Sequence, residues 1–156
     1  MALASAAIPF EIVPGVSSAL AAPALASIPL THPGVSSAFL VTSGHDPERF
    51  ASLANDVAPE TVTRVVMMGT SQRQAILRSL IDAGWPASTP AAILWNASQP
   101  DASVWTGPLE ALASARPPGD VPGTIVIGNV VGLREVLNAE LKLGSATETT
   151  RKTKHA

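Results

Sequence analysis

Three times in the first half of this chain a β-type run ends at a glycine, and a helix opens behind it on a hydroxyl or a carboxylate. Ile8 to Val13 stops at Pro14-Gly15, before Ser17-Ser18. Ala38 to Thr42 stops at Ser43-Gly44-His45, before Asp46-Pro47. Thr61 to Met68 stops at Gly69, before Ser71. Repeated strand–turn–helix units imply an α/β fold. They also collect free backbone N–H groups and short side chains at the strand exits, where open α/β sheets hold ligands.

The remaining elements extend the same pattern. After Pro14-Gly15 the alanine-rich stretch to Ala26 reads as a helix, with Ser17 or Ser18 as N-cap and a kink or split at Pro23. The helix after Asp46 turns Phe50, Leu53 and Ala54 inward. The helix after Ser71 aligns Ala75, Ile76, Leu80 and Ile81 and closes at Gly84. In the third run, Val65-Val66-Met67-Met68 is apolar on both faces, as in a central strand covered by helices. Ala91–Trp95 and Val104–Thr106 read as a fourth and a fifth strand, Leu109–Ala115 as a short helix, and Thr124–Ile127 as the last strand. The expected architecture is a mixed or mainly parallel open sheet flanked by helices.

Composition narrows the function classes. The 156 residues are 46% hydrophobic, enough for the core of one domain, but only 4% aromatic, so packing relies on close backbone approach. A formal net charge of −2 supplies no basic face for nucleic acid, and no partner of that class is expected. The chain has no cysteine, which excludes disulfides, thiolate nucleophiles and cysteine-bound metals. No apolar run reaches transmembrane length, and the alanine-rich start has no basic flank of the signal-peptide kind; the expectation is a cytoplasmic protein without a membrane partner. The polar, mildly basic stretch from Gly144 to Ala156 reads as a disordered tail.

Taken singly, each strand exit has an ordinary explanation. Pro14-Gly15-Val16-Ser17-Ser18 is a turn with an N-cap, Met67-Met68-Gly69 is core methionine with a turn glycine, and Trp95 to Pro100 is a polar loop. Together they put small and polar residues and a thioether at three strand ends, a set that suits an adenosyl group. His32, His45 and His155 have no metal-site spacing, and no metal is expected. P-loops, G-x-G-x-x-G and nucleophile elbows are absent. The carboxylates read as caps and solvated faces. Arg64, Arg73 and Arg78 flank the Met68 turn in sequence and would hold a carboxylated substrate if they converged, although each also reads as an ordinary helix-surface arginine.

These blocks, in this order, resemble the tetrapyrrole methylase family, and within it the branch that methylates uroporphyrinogen III on carbon. The stretches that carry the likeness are Val13 to His32, Ala38 to His45, Val65 to Gly69, Ala91 to Leu109 and Thr124 to Arg134. The resemblance implies S-adenosylmethionine as cofactor, a tetrapyrrole as substrate, a role in siroheme and cobalamin synthesis, and a homodimer. It places cofactor contacts on Ser17, Ser18, Met68, Ala97 and Gln99, and assigns no catalytic residue. It divides the chain into 1–13, the end of an inter-domain linker with a first strand, 14–143, a domain like the family's C-terminal one, and the tail 144–156. The family's N-terminal domain would then be missing, leaving the isolated chain inert or a non-catalytic binding or dimerisation module. This chain departs from the family at Thr31-His32-Pro33, where Thr-His-Arg is usual, and at Ala102-Ser103, where Gln-Arg is usual.

Overall fold

The computed structural model describes residues 2–55, 57–59 and 61–140; the tail expected over 144–156 lies outside them. Five strands form one sheet: β1 (Ala38–Ser43), β2 (Val62–Met67), β3 (Pro90–Trp95), β4 (Ser103–Pro108) and β5 (Gly123–Ile127). Their spatial order is β1-β2-β5-β3-β4. β1 and β2 are parallel; β5 runs antiparallel to both β2 and β3, and β4 antiparallel to β3. The sheet is therefore mixed. Its last strand inserts between the second and third, so β1, β2 and β3 all end where β5 begins.

Helices cover both faces. α1 (Ala2–Ser5) is a single turn. α2 (Ser18–Leu25) lies on one face with the 3-10 segment Asn129–Leu133, and Ala22, Ala26 and Ile28 pack there against Ala92, Leu94 and Val126. α3 (Pro47–Ala54) and α4 (Arg73–Asp82) take the other face with the 3-10 segment Leu109–Ser114. Phe50, Ile76, Leu80 and Trp85 close over Val66, Ile93, Ile125 and Ile127 there. Asp46 caps α3 by accepting from the N–H groups of Glu48 and Arg49, and Pro47 fills the first turn, where its missing N–H is not needed. The Gly84 backbone has φ +84°, the left-handed form that ends α4.

Two expectations need correction. Residues 8–13 form no strand; they run as irregular chain, and Ile8, Phe10, Ile12 and Val13 are all exposed. A strand needs a neighbour to take its hydrogen bonds, and no neighbouring strand reaches this segment. α2 is not split at Pro23. Proline removes only the N–H of the last turn of an eight-residue helix, and its ring is buried. The short helix expected over Leu109–Ala115 is present as the 3-10 segment Leu109–Ser114.

Arg64 is fully buried under α3. Its Nη2 donates to the carbonyl oxygens of Leu53 at 2.6 Å and Ala54 at 3.0 Å, and the guanidinium lies 5.7 Å from the Phe50 ring centre and 5.5 Å from that of Trp85. A cation at the C-terminal carbonyls of a helix is favourable to both. Arg64 thus closes the end of α3 on the face away from α2. The three arginines do not gather at the Met68 turn.

Candidate functional site

Ser17 Oγ accepts from the N–H of Ala19 and sets the start of α2. That cap brings the next residue, Ser18, over the end of β2, where its hydroxyl lies 4.0 Å from the Met67 sulfur. The Thr124 hydroxyl approaches the same sulfur to 3.9 Å from β5. One thioether thus ties together the start of α2, the end of β2 and the beginning of β5.

Above it is a cleft of about 360 Å³ lined by Ser18, Met67, Met68, Thr70, Leu94, Asn96, Ala97, Gln99, Pro122, Gly123 and Thr124. It lies at the C-terminal ends of β2 and β3, where β5 intrudes between them, a position at which open sheets bind ligands. Of the five residues expected to contact a cofactor, Ser18, Met68, Ala97 and Gln99 line this one cleft, and Ser17 is the cap that positions Ser18. Thr70, Asn96, Gly123 and Thr124 were not foreseen. The last two come to the site through the insertion of β5, which strand patterns do not reveal.

The backbone here is unusual. Five described non-glycine residues have positive φ, and three of them border this cleft: Met68 at +53°, Asn96 at +49° and Ser98 at +70°. Such conformations persist only where the surroundings hold them, and they concentrate at functional sites. The Asn96 N–H donates to the Pro122 carbonyl at 2.8 Å, fastening the post-β3 loop to the one before β5. Met68 is 64% exposed, so its side chain is presented rather than packed.

Two glycines fix the neighbouring turns. A Cβ on Gly44 would lie 2.6 Å from Gly69 Cα, and one on Gly69 would lie 2.8 Å from Ile76 Cδ1. The Gly44 N–H donates to the Met67 carbonyl at 2.7 Å, so the exits of β1 and β2 are in direct contact. Beneath the cleft, the Arg73 guanidinium stands 5.7 Å from the Trp95 ring centre and donates to the Thr70 carbonyl.

Thr31-His32-Pro33 is elsewhere. Residues 31–37 and Thr61 surround a separate hollow at the N-terminal ends of β1 and β2, where the Ser37 N–H meets the Thr61 carbonyl. The departure from the family at Pro33 therefore does not touch the cleft. Among the described residues, no three His, Cys, Asp or Glu side chains gather as a metal site would require, and no helix is long and apolar enough to cross a membrane.

The family model of the tetrapyrrole (corrin/porphyrin) methylases matches residues 1–113. This chain belongs to that family. Among curated relatives, siroheme synthase 2 of Pectobacterium atrosepticum is 35% identical over 136 residues, which are 87% of this chain and 30% of the relative. Siroheme synthase of Actinobacillus pleuropneumoniae is 39% identical over 131 residues, 83% of this chain and 27% of the relative. The chain thus spans less than a third of the length of these relatives. Among solved structures, uroporphyrin-III-C-methyltransferase from Thermus thermophilus superposes with a TM-score of 0.70 at 35% identity, over 87% of this chain and 58% of that one. A second structure of that methyltransferase, complexed with S-adenyl homocysteine, gives 0.68 at 29% identity, over 84% and 57%. A cobalt precorrin-4 methyltransferase, at 24% identity and a TM-score of 0.69, shows the same fold.

Proposed function

We propose that this chain supplies one wall of the S-adenosylmethionine site of a methyltransferase acting on uroporphyrinogen III. The observation that carries this reading is the convergence of Ser18, Met68, Ala97 and Gln99, from three separate segments, on a single cleft. The cleft fits the group. Its volume lies within the usual range for small-molecule sites, about 300–1,000 Å³, and Ser18, Ala97 and Gly123 allow close backbone approach. The exposed Met68 side chain offers an apolar, polarisable surface for a flat base. When bound, the cofactor supplies a sulfonium methyl as electrophile.

The chain's own contribution is binding and orientation. The left-handed backbone at Met68, Asn96 and Ser98 holds two loops at a fixed separation across the start of β5. Such positioning, with exclusion of water, is most of what a transfer between two bound small molecules requires of a protein. With Met68 64% exposed, the site needs a second wall, which we assign to a region like the part of the solved relative that this chain does not match. The test is incorporation of labelled methyl groups from S-adenosylmethionine into uroporphyrinogen III. The 156 residues alone are expected to give no product, and the same residues joined to that region of the Thermus thermophilus relative are expected to give methylated tetrapyrrole. Turnover by the 156 residues alone would contradict the two-wall reading, and no product from the joined protein would contradict the assigned activity.

A second reading is a non-catalytic binding or dimerisation module. Phe39 and Val41, 42% and 43% exposed on the edge strand β1, favour it. Sedimentation velocity distinguishes a homodimer, expected on this reading, from a monomer.

A further inference from the structure

Asn96 lines the cleft with Ala97 behind it, and its backbone is left-handed, as is that of Ser98. The Asn96 side chain does not point to a backbone group, the usual partner of an asparagine in a turn. Its Nδ2 donates to Asp101 Oδ1 at 2.5 Å, across the loop and outside the set of residues that line the cleft. Between the two ends, the Gln99 N–H donates to the Asn96 carbonyl at 3.1 Å and the Ala102 N–H to the Gln99 carbonyl at 3.0 Å. The loop is therefore two consecutive turns clasped across their mouth by one charge-assisted bond. Through the Pro122 carbonyl, Asn96 is also the point at which the loop attaches to the approach to β5.

We infer that Asp101 is a positioning residue for the cleft: by holding the Asn96 amide it fixes the left-handed loop that presents Ala97 and Gln99 to the cofactor. The inference rests on the cofactor reading above. An ionised acceptor makes the stronger form of this bond, and an asparagine at position 101 keeps an acceptor without the charge. An alanine keeps neither. Asp101 is exposed, so the larger effect is expected on binding and only a small one on the fold.

The experiment is a titration of the full ¹⁵N-labelled chain with S-adenosylhomocysteine, followed by amide shifts, for the parent, D101A and D101N, with thermal unfolding of each. The expected result is a dissociation constant raised about tenfold in D101A, the effect of losing roughly one charge-assisted hydrogen bond. In D101N it should lie within about threefold of the parent, because the bond survives uncharged. The unfolding midpoints should agree to within a few degrees, the shift that follows from losing one exposed hydrogen bond of the free chain. Parent-like binding by D101A overturns the inference while leaving the cofactor reading intact, and so does D101N binding as weakly as D101A. A D101A chain that does not fold beside a D101N chain that does makes Asp101 a fold residue and overturns the positioning role. A parent chain that shows no shift at any concentration overturns the cofactor reading, and this inference with it.

Discussion

At residue scale, the site depends on backbone that most side chains avoid. Met68 holds φ +53° while 64% of its surface faces solvent, so neither packing nor intrinsic preference favours methionine there. Glycine adopts this conformation without the roughly 1–2 kcal/mol penalty of an L-residue, although it gives back about 0.5–1 kcal/mol in unfolded-chain entropy. Met68→Gly is therefore expected to leave stability equal or slightly raised in urea unfolding while weakening S-adenosylhomocysteine binding; a clear loss of stability would make Met68 a structural residue. The glycines next to it behave oppositely. Gly44→Ala drives a methyl to 2.6 Å from the Gly69 backbone, which cannot move aside cheaply. A loss of about 2–3 kcal/mol is expected, the upper part of the range for overpacking, and an unchanged urea midpoint would contradict the contact. Of the residues involved, Ser18, Met68, Ala97 and Gln99 were legible through the family resemblance, which places each in a matching block; Met68, Ala97 and Gln99 also follow the ends of β2 and β3, whereas the run before Ser18 is no strand. Thr124 and Gly123 were not, because a residue at the start of a strand is placed by which strands it pairs with.

At the scale of elements, sequence pattern reported strands well wherever a neighbour exists. Each of β1 to β5 falls on a predicted run. The run from Ile8 to Val13 also carries β-type residues yet forms no strand, since β pattern records suitability for a sheet and says nothing of whether an edge is within reach. The parallel β1–α3–β2 unit was readable from the alternation; the antiparallel entry of β5 between β2 and β3 was not, because local sequence carries no strand order. Arg64 lay in a predicted central strand, but no local signal announced that its side chain would cap α3. Its removal tests that role. Arg64→Ala leaves the Leu53 and Ala54 carbonyls without their donor and opens space between Phe50 and Trp85. The expected loss is about 3 kcal/mol, in the range for disrupting a buried charged network, read from urea unfolding by circular dichroism. A loss below about 1 kcal/mol, the size of one ordinary hydrogen bond, would contradict the capping role. Ser17→Ala, which deletes the N-cap of α2, is expected to lose about 1 kcal/mol and to loosen Ser18 at the cleft; an unchanged stability would show that the start of α2 is held by packing alone.

At the scale of the whole molecule, the two ends of the sheet are different environments. One end collects the exits of β1, β2 and β3 with the start of β5 and carries the strained loops. The other carries the 31–37 turn and its separate hollow. The first end is the one we propose as the cofactor wall. The most direct measurement is the map of amide shifts when the ¹⁵N-labelled chain is titrated with S-adenosylhomocysteine up to millimolar concentration. The predicted result is saturable shifts at Ser18, Met68, Thr70, Asn96, Ala97 and Gln99, with residues 31–37 unmoved. Shifts confined to residues 31–37, or scattered without reference to the exits of β2 and β3, would contradict the account.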